Sequence, residues 1–156
     1  MEERRGKRET QAVSITTDLI LRLAQQTKLA KVTELSIRLP NDKIRRIEGL
    51  AECVNLRTLD LSYNFISKLE NLEALTQLRD LNLSENNIRR FEGLRSLHAL
   101  EVLNLAGNQL RLLPKAELEP LSALKTLKMM RNKLESPEEL KGLVCLPALT
   151  SLVMRR

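Results

Sequence analysis

Residues 56 to 99 are two blocks of 22 residues that align without a gap, LRTLDLSYNFISKLENLEALTQ and LRDLNLSENNIRRFEGLRSLHA. Apolar residues recur at block positions 1, 4, 6, 11, 14, 17 and 20. In the first block these are Leu56, Leu59, Leu61, Ile66, Leu69, Leu72 and Leu75, and Asn64 holds position 9. The second block repeats the pattern with Leu78, Leu81, Leu83, Ile88, Phe91, Leu94 and Leu97, and with Asn86. A period this short restricts the fold more than any composition does. One block cannot bury its own apolar face, so neighbouring blocks must stack into a continuous core.

The Leu-x-Leu step has strand period, so Leu59 and Leu61, like Leu81 and Leu83, point to one face while Asp60 and Asn82 point to the other. After the strand the chain must turn, and an Asn there is expected to bond backbone groups of its own and adjacent turns. A short helix, a 3-10 turn or an extended segment then returns to the next strand. The expected fold is an α/β solenoid with a parallel sheet on its concave face.

In chain order, residues 1–13 alternate in charge without periodicity and are expected to form a flexible charged tail. Residues 14–31 read as an N-terminal capping helix, with Thr16 or Thr17 as N-cap, Asp18 in the first turn and Leu19, Ile20, Leu23 and Ala24 on one apolar face. Repeats then fill residues 32–156, about six in all, with the last one truncated. The first carries two extra residues around Leu39-Pro40-Asn41, and the fourth, Leu100 to Ala123, two more near Pro114. The fifth, Leu124 to Ala148, has a return that looks helical from Ser136 as cap and Pro137 as first residue. The sixth begins at Leu149 and stops at Arg156, which is read as part of a longer chain broken within the array.

The core is leucine, since only 2% of the 156 residues are aromatic. The formal net charge of +6 raises the question of nucleic acid, yet both signs are interspersed along the sequence, as on an ordinary soluble surface. The first residues are charged and no apolar run is long enough to span a bilayer, so neither a signal peptide nor a membrane segment is expected. Cys53 takes a core position and Cys145 lies far from it along the stack, which argues for a reducing compartment. His98, the sole histidine, has no nucleophile or acid partner at a telling spacing, and there is no phosphate loop or metal-ligand cluster. The reading is not an enzyme, with no cofactor and no metal.

The period and the returns Ile44 to Leu50, Ile66 to Leu72 and Ile88 to Leu94 resemble a subclass of leucine-rich repeats. It includes a regulatory subunit of protein phosphatase 1, an axonemal dynein light chain and the small nuclear ribonucleoprotein A-prime. That resemblance covers about residues 32 to 156 and implies an intracellular scaffold that binds protein on its concave sheet. Several stretches, among them ITTDLILRLAQQTKLAKVTELSI, LAECVNLRTLDLSYNFISKLE and LPALTSLVM, are similar to the repeat block of a large coiled-coil centrosomal protein. This similarity implies a place at the centrosome, cilium or midbody, although no coiled coil is present in this chain. The ribonucleoprotein relative implies an alternative, an RNA-associated binding module. RNA recognition usually needs aromatic stacking platforms, which are scarce here, so nucleic acid ranks below protein as partner.

Outward strand positions give the candidate protein-binding residues Glu34, Asp60, Tyr63, Phe65, Asp80, Asn82, Glu85, Lys128 and Arg131. They form a face that is acidic towards the N-terminal half and basic near Lys128 and Arg131. Tyr63 and Phe65 are the aromatics expected to be exposed, and aromatics concentrate binding energy at interfaces. The plainer reading is a solvated polar sheet without a partner. On the returns, Arg45, Arg46, Lys68, Arg89, Arg90 and Arg111 form a basic ladder beside Glu48, Glu70 and Glu92. Neighbouring opposite charges of this kind mostly solvate, each pair worth ~0–1 kcal/mol.

Overall fold

The computed structural model describes residues 12–134 and 137–154. Six short parallel strands form the main sheet: β2 (Glu34–Ser36), β4 (Thr58–Asp60), β5 (Asp80–Asn82), β6 (Val102–Asn104), β7 (Thr126–Lys128) and β8 (Ser151–Val153). Each pairs with the next in the repeat register. Leu35, Leu59, Leu81, Leu103, Leu127 and Leu152 form one inward row, and the residues on either side of each point outward. Leu59, Leu81, Leu103 and Leu127 are fully buried, while Leu152 of the last strand is 43% exposed.

The second row of the core comes from the returns. Ile44, Ile66, Ile88 and Leu110 are buried, and beside them the chain is extended rather than helical. The amides of Phe65, Asn87, Gln109 and Lys133 donate to the carbonyls of Ile44, Ile66, Ile88 and Leu110, each at 2.8 Å. This line of bonds follows the strand rule, so the residue after the turn asparagine and the one two beyond it both face outward. Helical returns occur where the sequence has insertions. Pro114 opens α2 (Lys115–Leu118), a helix that the spacing had not suggested, and Pro137–Cys145 is a run of 3-10 turns packed against it. The expected cap of that segment, Ser136, lies outside the described residues.

At the N-terminal end, α1 (Thr17–Ala24) packs against β2. Thr16 caps it, its Oγ1 accepting from the Leu19 amide at 3.2 Å, with Asp18 in the first turn and Gln25 closing it in a left-handed conformation. Leu19 and Ile20 are buried, but Leu23 stays exposed and Leu21 packs against the core instead. A 3-10 turn, Leu29–Lys31, joins the cap to the sheet. One boundary differs from expectation. Ala12–Val13, placed in the tail by their sequence, form strand β1, paired in parallel with β3 (Lys43–Ile44). Lys43–Ile44 stands at the place that Phe65–Ile66 holds in the next repeat, where each return bonds the one before it, and β1 fills that neighbouring position for the first described repeat. Residues 1–11 of the expected tail lie outside the described residues.

Inward-turned asparagines join the repeats, with Asn64, Asn86 and Asn108 buried and Asn132 half-buried. Each Oδ1 of Asn64, Asn86, Asn108 and Asn132 accepts the amide of the buried residue in the previous turn, respectively Ile44, Ile66, Ile88 and Leu110, at 2.9–3.0 Å. Each Nδ2 donates to a carbonyl of its own turn and to one in the turn before. Cys53 is buried at its core position with a free thiol, and burial, then the nearby Glu52 carboxylate, raises its pKa.

Candidate functional site

The concave sheet presents two outward rows. One runs Glu34, Thr58, Asp80, Val102, Thr126 and Ser151, and the other Ser36, Asp60, Asn82, Asn104, Lys128 and Val153. The second row has a structural duty that its sequence pattern did not disclose. Asp60, Asn82 and Asn104 each accept, through Oδ1, the amide two residues on, at 2.8, 3.1 and 3.1 Å. These Asx turns bend the chain away from the strand. The signal was present as Asp60-Leu61-Ser62, Asn82-Leu83-Ser84 and Asn104-Leu105-Ala106. Asp60 and Asn82 therefore have part of their polar capacity committed to the fold.

Beyond strands β4 to β7, the eighth residue of the repeat is left-handed. Tyr63, Glu85 and Arg131 have φ of 59, 56 and 54°, and Gly107 has 68°. Glu85 and Arg131 form an ion pair although two repeats separate them. The missing side chain of Gly107, in the repeat between, leaves the path for it. Sequence alone assigned these two residues to opposite acidic and basic regions, but here they neutralise each other. Tyr63 is 51% exposed, with the Arg38 guanidinium 4.5 Å from its ring centre and Lys43 Nζ 2.7 Å from its carbonyl oxygen.

Phe65 is exposed as expected, but it does not lie with the concave residues. It sits on the extended return, where Arg45 stacks over its ring at 5.8 Å, and lines a depression with Arg45, Arg46, Ser67, Asn87, Arg89 and Gln109. The candidate aromatic pair is thus divided between two faces. What remains together on the sheet is an acidic stretch, Glu34, Asp60 and Asp80, followed by Lys128.

Asp80 sits where these charges meet. Burial raises its pKa most, the Lys128 ammonium pulls it down, and the Asp60 carboxylate pushes it up, for a net rise. Folding therefore disfavours ionised Asp80. Both folded and unfolded chains hold the protonated acid at low pH, and the unfolded chain ionises first as pH rises. Asp80→Asn should match the parent at about pH 3 and become the more stable of the two as pH climbs through the raised value towards pH 7. Urea unfolding across that range measures the difference. An Asp80→Asn variant that loses ground as pH rises would contradict the assigned sign.

Among the described residues no group of three or more His, Cys, Asp or Glu is arranged to hold a metal ion. His98 is exposed, with Nδ1 3.0 Å from the Pro120 carbonyl oxygen. No helix among them is long and apolar enough to cross a membrane.

Comparison with known proteins agrees with this architecture. The chain resembles an internalin of Listeria monocytogenes, InlF, at 26% identity with a TM-score of 0.66, over 82% of this chain and 38% of the internalin. A second internalin of that organism, InlC2, aligns at 19% identity with a TM-score of 0.59, over 87% of this chain and 83% of its own. A stretch of 55 residues, 33% of the chain, is 47% identical to mouse centriolin. It spans only 2% of the length of centriolin. A family model for the leucine-rich repeat matches residues 12–155. The chain belongs to the leucine-rich-repeat family.

Proposed function

We propose that this chain is a non-enzymatic scaffold that docks a protein partner on its concave sheet. Leucine-rich-repeat domains generally bind protein partners, and the observation carrying the reading here is the register. Six strands in one alignment hold Tyr63, Asp80, Asn82 and Lys128 on a rigid surface whose side chains lose little freedom on binding. The occupant that fits is a segment with a basic stripe opposite Glu34, Asp60 and Asp80, and an apolar group against Tyr63. Glu85 and Arg131 sit at the rim as a pair, available to partners that can separate them. The stretch shared with centriolin supports a place at the centrosome for such a scaffold.

The test begins with proximity labelling in cells to obtain partners, followed by rate measurements on purified components. Asp80→Lys is expected to slow association, and Tyr63→Ala to speed dissociation. Arg57, exposed just before β4 and outside both rows, supplies a control by Arg57→Glu. Partners that bind the Asp80 and Tyr63 variants with parental rates would remove the concave sheet as the docking face.

A further inference from the structure

A groove of about 770 Å3 lies on the return side, away from the concave sheet. Its volume falls within the range typical of ligand sites. It exists because of two local departures from the repeat. Phe91 takes a core position that is leucine or isoleucine in neighbouring repeats, and the insertion at Pro114 raises α2 as a wall. Pro114, Ala116 and the 54%-exposed Leu112 supply its exposed apolar surface, and the buried Phe91 closes its floor.

Its polar lining is mostly cationic. The extended returns turn alternate residues outward, which brings Arg89, Arg111 and Lys133 to one face on successive repeats, with Arg90 beside them. The next depression along the same face adds Arg45 and Arg46 and shares Arg89. Arg46 pairs with Glu70 at 3.2 Å, and Glu117, on the wall, pairs with Arg95 at 3.1 Å. Among the described residues no carboxylate pairs with Arg45, Arg89, Arg90, Arg111 or Lys133. The neighbouring glutamates are thus turned to other partners or left aside, and the cations are not neutralised as alternating charge along the sequence suggests. The opposite oxygen of Glu117, Oε2, is buried without a hydrogen-bond partner.

We propose that this groove binds an acidic peptide segment of a protein partner, in extended form, with one aliphatic residue seated on Leu112 and Ala116. Carboxylates along the segment meet Arg89, Arg111 and Lys133, and charge complementarity selects it over a basic or neutral one. The site is separate from the concave sheet, so the scaffold can hold two segments at once, and neither reading depends on the other.

Fluorescence anisotropy with a labelled peptide alternating Glu and Asp around a single central Leu tests the proposal on the intact chain. Saturable binding that weakens with added salt is expected. Arg89→Glu with Arg111→Glu should weaken it by at least about tenfold, and Leu112→Asp by a similar factor. These side chains are exposed, so unchanged urea unfolding curves will verify that the variants fold. Replacing the peptide's Leu with Ser should weaken binding to the parent but hardly affect the Leu112→Asp variant. Asp80→Lys, on the concave sheet, should leave the peptide affinity unchanged. Absence of saturable binding, or equal binding by the parent and the double charge reversal, overturns the proposal. So does tighter binding of a single-stranded RNA of matched charge, which would make the groove a nucleic-acid site.

Discussion

Asn86→Ala is expected to cost ~2–6 kcal/mol of stability, on the scale of removing a core leucine. The estimate comes from counting what each lost bond leaves behind. The Ile66 amide donates to Asn86 Oδ1 at 2.9 Å in the buried turn and would lose that partner. An orphaned buried amide costs ~1–3 kcal/mol. The two nearest carbonyls that Asn86 serves, at 2.9 and 3.1 Å, are less exposed to loss. Leu61 O keeps Asn64 Nδ2 and Leu83 O keeps Asn108 Nδ2, at 3.0 and 2.9 Å, so each loses one of two donors. Each such loss is worth ~0.5–1.5 kcal/mol. Asn64→Ala should cost more than Asn86→Ala, because Ile37 O receives its turn bond from Asn64 at the first rung and has no earlier asparagine to retain. Leu83→Ala, which leaves every one of these bonds in place, should cost ~2–5 kcal/mol through its cavity alone. Arg89→Ala, on the surface, should stay within about 0.5 kcal/mol. Urea unfolding of the four variants gives the ranking directly. Asn64→Ala and Asn86→Ala as mild as Arg89→Ala would mean that the ladder contributes nothing measurable to stability.

The fold was legible because the repeat ties each residue type to one environment. Period-two leucines with a following Asn leave a single consistent arrangement, and the structure places Leu59, Leu81, Asn64 and Asn86 in it. The site was less legible, for reasons that are also physical. Alternation along a sequence says which way a side chain leaves the backbone, not what meets it from two repeats away. Glu85 and Arg131 are 46 residues apart in sequence, and their pairing depends on the absence of a side chain at Gly107 between them. Phe65 was grouped with Tyr63 because both follow the same strand, but the left-handed residue at Tyr63 redirects the chain and puts Phe65 on the return face. The pattern that would have revealed that face is Lys43-Ile44-Arg45, Phe65-Ile66-Ser67, Asn87-Ile88-Arg89 and Gln109-Leu110-Arg111. In each, an inward aliphatic stands between two outward residues, which is strand alternation inside a segment read only as a return. The helix at Lys115–Leu118 was missed because its insertion is short, although Pro at its start pointed to it.

Gly93→Ala should cost ~2–4 kcal/mol, and Gly93→Asn distinctly less. Three successive returns pass through a left-handed residue at the same place: Gly49 at φ 71°, Asn71 at 59° and Gly93 at 75°. For an ordinary L residue that conformation is itself unfavourable by roughly 1 kcal/mol. A Cβ on Gly93 would also run into the carbonyl oxygen of Leu69 in the repeat before, so any side chain there requires the two returns to shift. Alanine and asparagine share that displacement, but asparagine can offset it with a hydrogen bond. Asn71 shows how a side chain is accommodated at the equivalent position. Its Nδ2 donates to the Ile47 carbonyl at 2.6 Å, so the obstructing oxygen becomes a hydrogen-bond acceptor. Asparagine also tolerates the left-handed region better than alanine. Gly93→Asn should therefore reproduce that bond with Leu69 O and recover a good part of the loss. Because Gly93 follows directly on Arg89 to Glu92, a displaced return would also shift one side of the basic groove. Gly93→Ala is then expected to weaken acidic-peptide binding as well as stability, with Gly93→Asn restoring both. Unfolding midpoints and peptide anisotropy on the same two proteins decide the matter. Asparagine and alanine variants that are equally damaged would show that close approach of the returns, and not the left-handed backbone, is what requires glycine here.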